Sequence, residues 1–128
     1  MKLSISVMVS ATFVHKSGES FQVDKVINEE YDRSSEEYET LAEGFEKATG
    51  VKRAETTEEA FIKNMGMYVA DEIRKTMKER IDNVTECAKK IYIGKASNAF
   101  VEFGGWLLDM RDFSAVAFEE TKVNVSYK

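Results

Sequence analysis

Residues 57–91 constrain the fold of this chain most: they form its longest stretch with helical spacing, in a sequence that contains no proline. Thr56 or Thr57, followed by Glu58 and Glu59, marks a helix start. Thr56 and Glu59 have capping-box spacing, in which each side chain satisfies the other's free backbone N–H. As one piece the helix would reach roughly 50 Å at about 1.5 Å per residue, more than a domain of this length needs. At about 100° per residue, Phe61, Met65, Tyr68 and Val69 centre on one direction, and Met77, Ile81, Val84, Ala88 and Ile91 centre roughly 120° away. One flat sheet surface cannot cover both stripes of a straight helix. Either the helix bends, near Gly66 or Asp82-Asn83, to keep both stripes on one core, or the second half packs on another subunit. The 4-3-4-3 spacing of Met77, Ile81, Val84, Ala88 and Ile91 suits such a helix-helix seam, which makes them the candidate self-association residues of a homo-oligomer.

At 128 residues, with 43% hydrophobic and 32% charged residues, the chain has globular proportions and suits a single domain spanning 1–128. No apolar run approaches the roughly 18 to 20 residues of a membrane span, so no membrane association is expected. Leu3, Ile5 and Val7 alternate with serine, unlike the continuous apolar block of a signal peptide. The lone Cys87 cannot form an internal disulfide, and both features point to the cytoplasm.

The apolar odd positions from Leu3 to Phe13 have period two and predict a long strand. A turn-like Lys16-Ser17-Gly18-Glu19-Ser20 leads to a second strand over residues 21–27, with a phase slip between Val23 and Val26 where a bulge fits. Ser34-Ser35-Glu36-Glu37 is a second capping-box candidate. Tyr38, Leu41, Ala42, Phe45 and Ala48 then repeat at helical spacing before Gly50, so a short helix with a glutamate-rich outer face is expected. Beyond Ile91 the glycines and aromatics of residues 99–110 favour strands bent or bulged at Gly104-Gly105, the alternative being a helix capped by Asn98. Residues 115–127 return to strand. The order ββααββ gives an α+β domain: an antiparallel sheet of about four strands, with one short and one long helix packed on one face.

The net charge of −5 is unevenly spread: residues 1–56 hold 11 acids against 7 bases, whereas residues 57–90 hold 7 of each. Within residues 29–46 there are eight acids and only Arg33, a solvated helix face or a docking surface for a basic partner. The one dense basic cluster, Arg74, Lys75, Lys78 and Arg80, is interleaved with Asp71, Glu72, Glu79 and Asp82, which argues against general nucleic-acid binding.

Chemistry-bearing residues are sparse. His15 and Cys87 form a Cys-His couple only if the fold unites them across more than 70 positions. Asp109 and Asp112, flanking Arg111, are the raw material of a hydrolase pair or of an ordinary turn. No EF-hand, HExxH, CxxC or phosphate-loop pattern is present, and no metal or cofactor is expected. Trp106 with Arg111 and Phe113 has the composition of a ring-stacking ligand site, and equally that of core filling.

These features favour a non-catalytic binding protein, an inhibitor or modulator that meets another protein through Glu29, Glu30, Glu36, Glu39 and Glu43. The alternative is an oligomeric pocket protein holding a small anionic ligand such as a nucleotide, with Trp106, Arg111, Phe113, Arg74 and Lys78. A hydrolase using Asp109 and Asp112 comes third. Short length, acidity and the lack of proline also suit accessory proteins of phages or mobile elements.

Overall fold

The period-two N-terminal segment forms β1 (Lys2–His15) in the computed structural model, which describes residues 1–95 and 99–128. Its odd positions Leu3, Ile5, Val7, Val9, Ala11 and Phe13 are all buried, so the face predicted to be apolar is the core face. Gly18, at φ 94°, closes the turn into β2 (Ser20–Asp32). This strand runs five residues past the expected end at Ile27. Its burial alternates through Val23, Lys25, Ile27, Glu29 and Tyr31, so the apparent phase slip is simply an exposed Val26 with Lys25 turned inward.

Ser35 caps α1 (Glu36–Thr49), its hydroxyl accepting from Tyr38 N at 3.2 Å, and Gly50 ends the helix in the left-handed conformation at φ 74°. Tyr38, Ala42 and Phe45 form its buried face. A 3-10 turn, Arg53–Glu55, leads into α2 (Glu58–Tyr92), one uninterrupted 35-residue helix. Thr57, not Thr56, is its cap: Thr57 Oγ1 accepts from Ala60 N at 3.2 Å.

The section after α2 contains more strands than expected. β3 (Phe100–Phe103) and β4 (Trp106–Asp109) form their own antiparallel hairpin, with Phe103 opposite Trp106. Gly104 and Gly105, at φ 59° and 85°, form its two-residue turn. Positive φ at both central positions is the geometry that matches strand twist, so the glycines reverse the chain and do not merely bulge it. The alternative cap at Asn98 lies outside the described residues. After a 3-10 turn, Met110–Asp112, come β5 (Phe113–Phe118) and β6 (Lys122–Tyr127). The main sheet has the four strands expected, in the order β2-β1-β5, with β6 also paired to β1. The fold is therefore α+β, with one short and one long helix.

By packing, the chain divides into two compact units. One comprises Met1–Val7, Ile27–Ile73 and Val123–Lys128; the other comprises Met8–Val26 and Arg74–Lys122. The first half of α2 supplies Phe61, Ile62, Met65, Val69, Ala70 and Ile73 to the core of the former. Gly66 lets that half approach closely, since a Cβ there would stand 2.6 Å from Val125 and 3.2 Å from Leu3. The second half supplies Met77 and Val84 to the other core, alongside Phe13, Phe103, Leu108 and Met110. Each large apolar side chain so buried contributes about 1.5 to 3 kcal/mol. The second stripe begins earlier than its large apolar residues suggest, because at roughly 100° per residue Gly66, Ala70 and Ile73 in the first half already lie on its direction.

Candidate functional site

Three regions carry the residues singled out from sequence. The first is the acidic flank of α1. The first helical turn holds Glu36, Glu37 and Glu39, where negative charge complements the positive end of the helix dipole. Glu39 is committed to Arg53, 3.2 Å away, and Arg53 also lies over the Tyr38 and Phe61 rings. Glu30 pairs with Lys2 at 3.9 Å. Glu29 accepts a 2.7 Å hydrogen bond from the Tyr31 hydroxyl, and burial together with that carboxylate pushes the Tyr31 pKa up to about 12. Glu36, Glu37 and Glu43 have no ion-pair partner among the described residues. Glu36 and Glu37, with Tyr31, Thr40 and Leu41, line an open cleft of about 420 Å³. Of the five glutamates expected to meet a partner, the fold thus leaves Glu36 and Glu43 unengaged. It adds Glu37 and an aromatic-aliphatic lining that charge counting could not reveal.

The second region is aromatic. Phe13, wholly buried, stacks on Phe21 at 5.6 Å and meets Phe103 and Phe113 at 6.3 and 5.4 Å. Trp106 extends this row through Phe21, 6.4 Å away, and remains 59% exposed. Arg111 does not join Trp106. Its guanidinium lies 5.9 Å from the Phe100 ring centre and grips Asp109 twice, Nε at 2.9 Å and Nη2 at 2.7 Å. Phe113 instead lines a cavity of about 290 Å³ with Lys16, Ala88, Ile91, Met110 and Val116. Arg74 and Lys78 project from the exposed side of α2, outside that cavity. Of Trp106, Arg111, Phe113, Arg74 and Lys78, only Phe113 lines this cavity, and a single lysine at its wall is poor provision for a polyphosphate.

Asp109 also caps the turn that follows it, accepting from Arg111 N, and the Arg111 guanidinium holds its carboxyl below the usual carboxylate range. A carboxylate clamped in this way stays ionised, which suits a turn anchor better than a proton donor. His15 engages the Ser17 hydroxyl at 2.9 Å and the edge of Phe113, while Cys87 lines a different groove with Arg80, Lys90 and Phe100. Burial pushes the Cys87 thiol up, against the direction a nucleophile needs. Among the described residues no three His, Cys, Asp or Glu side chains converge as a metal site.

The third region is the second stripe of α2. Met77 and Val84 are each 1% exposed within the single chain, and Ile81, Ala88 and Ile91 are half-buried. Among the described residues no helix is long and apolar enough to cross a membrane. No family model, no curated protein and no solved structure matches this chain.

Proposed function

We propose that this protein is a non-catalytic binding protein that docks a basic segment of another cytoplasmic protein along the acidic flank of α1, as an inhibitor or modulator of that partner. The observation that carries this reading is the set Glu36, Glu37 and Glu43, exposed carboxylates without ion pairs among the described residues, two of which border an open cleft lined by Tyr31 and Leu41. Charge attracts and orients a lysine- or arginine-bearing segment, and Tyr31 and Leu41 give one of its side chains an apolar surface to pack on. Neighbouring Glu39 and Glu30 are already paired, and their contribution is to hold Arg53 and Lys2.

The test is capture from host extract by the wild-type protein and by a variant carrying Glu36→Lys, Glu37→Lys and Glu43→Lys. Because these changes also oppose the helix dipole, both proteins are first shown to be folded by circular dichroism. Wild-type capture should weaken as salt rises, since exposed charges are screened within about 10 Å at 0.1 M ionic strength. The reversed variant should lose the partner. Equal capture by both proteins excludes this surface.

A further inference from the structure

β2 and β5, two of the strands that flank β1 in the main sheet, are guarded very differently. β2 carries Asp24, Lys25, Glu29, Glu30 and Asp32 along its length, charges that discourage another strand from pairing with it. β5, with the sequence Phe-Ser-Ala-Val-Ala-Phe, has no charged residue and no proline, and among the described residues it pairs only with β1. The single irregularity, a register shift at Val14/His15, leaves residues 115–118 regular. Glu119 N donates to Ser10 O at 2.8 Å, continuing the register in which Ala11 faces Phe118. In an antiparallel ladder bonded and non-bonded pairs alternate, so Ala115 and Ala117 turn their N–H and C=O groups toward β1. Val116 and Phe118 turn theirs toward the open edge.

We infer that this edge pairs with the same edge of a second copy, joining two main sheets about a two-fold axis through Val116. The strand's sequence and the geometry of self-pairing point to a second copy as the occupant. Outward from Val116 the strand reads Ala115 and Ala117, alike in both directions, so antiparallel self-pairing sets alanine against alanine and valine against valine with no opposed charges. This register puts the outward-facing N–H and C=O of Val116 opposite those of its symmetry mate, as a bonded pair requires. It also sets Phe118 of each copy opposite Ser114 of the other, beside the 290 Å³ cavity walled by Ala88, Ile91, Met110 and Phe113. Finally, Met77 and Val84, the centre of the candidate helix-helix seam, are already used by the chain's own core. The inference is independent of the acidic docking surface, which belongs to α1.

Sedimentation equilibrium on the full chain tests it, with substitutions at the exposed Ala115 and Ala117, where the register brings the side chains of the two copies closest. Wild type should have twice the 14.6 kDa chain mass. In Ala115→Glu/Ala117→Glu like charges oppose each other twice, and this variant should be monomeric. In Ala115→Glu/Ala117→Lys each glutamate faces a lysine, and dimerisation should recover by roughly tenfold or more relative to the double glutamate variant. Val116→Pro removes an outward-facing N–H without breaking a ladder hydrogen bond to β1, and should also give a folded monomer by circular dichroism. A wild type that is monomeric at all concentrations overturns the inference. So does a dimer that persists in the double glutamate variant, or a glutamate-lysine variant no tighter than the double glutamate one.

Discussion

Gly44, Gly66 and Gly104 respond in different ways to the same added methyl group. Gly44 lies inside α1 with no atom within 4 Å of where a Cβ would stand, so Gly44→Ala should stabilise the protein by about 0.5 to 1 kcal/mol. Gly66→Ala gains the same propensity but drives its methyl to 2.6 Å from Val125, and overpacking of about 1 to 3 kcal/mol outweighs the gain. Gly104→Ala meets Val23 at 2.5 Å and the Asp24 carbonyl at 2.9 Å, at φ 59°. It should be the most damaging of the three, because backbone cannot move aside as a side chain can. Urea midpoints should rank the variants in that order. Nothing in the sequence distinguishes these glycines, since the atoms that decide come from residues far along the chain. Tyr31 offers a second test. Its pKa in the folded protein lies above that of an exposed tyrosine, so its contribution to stability is complete below about pH 10 and is lost as pH rises through about 12. Tyr31→Phe should flatten the fall in urea midpoint across that window; parallel curves for variant and wild type would show that neither burial nor Glu29 alters the titration of Tyr31 on folding.

Among the elements, the helices are legible because their cues are local. Ser35 and Gly50 bracket α1, and a serine or threonine followed by glutamates opens both helices. The exact cap is less legible, because adjacent residues offer the same chemistry. Ser35, not Ser34, accepts from the helix, while Ser34 donates to Asp32 at 2.7 Å. Ser35→Ala should therefore cost about 1 kcal/mol in thermal or urea denaturation, and Ser34→Ala distinctly less. The second half of β2 is hidden in sequence because an edge strand exposed on one side takes acids and asparagine, which read as loop. The β3-β4 hairpin is hidden because a glycine pair serves a bulge and a tight turn equally well. Along α2, Met77→Ala should cost about 2 to 5 kcal/mol of unfolding free energy, as for a filled core position, without shifting the monomer-dimer equilibrium measured on folded protein. A change in association with stability intact would restore the helix-helix seam.

At the scale of the whole molecule, charge distribution points to the acidic flank of α1, while the fold decides which of its glutamates remain unengaged. That decision is invisible in sequence, because Arg53 and Lys2 meet Glu39 and Glu30 only through packing. Arg111 is engaged in the same way, by a carboxylate that charge distribution does not single out: Asp109, two residues away, grips it at 2.7 Å. The division into compact units has a consequence for cutting and splicing the gene. The chain passes between them at Val7/Met8, Val26/Ile27, Ile73/Arg74 and Lys122/Val123, within β1, β2, α2 and β6. No single truncation therefore yields an autonomous half, since a break between α1 and α2 leaves each product with an incomplete complement of both cores. Residues 1–50 and 51–128 expressed separately should each be unfolded, and mixing them should restore helical circular dichroism. Gly18 and Gly50 thus mark places where the backbone could be opened and rejoined, making the protein a natural substrate for circular permutation and fragment-complementation reporters, though not for domain excision.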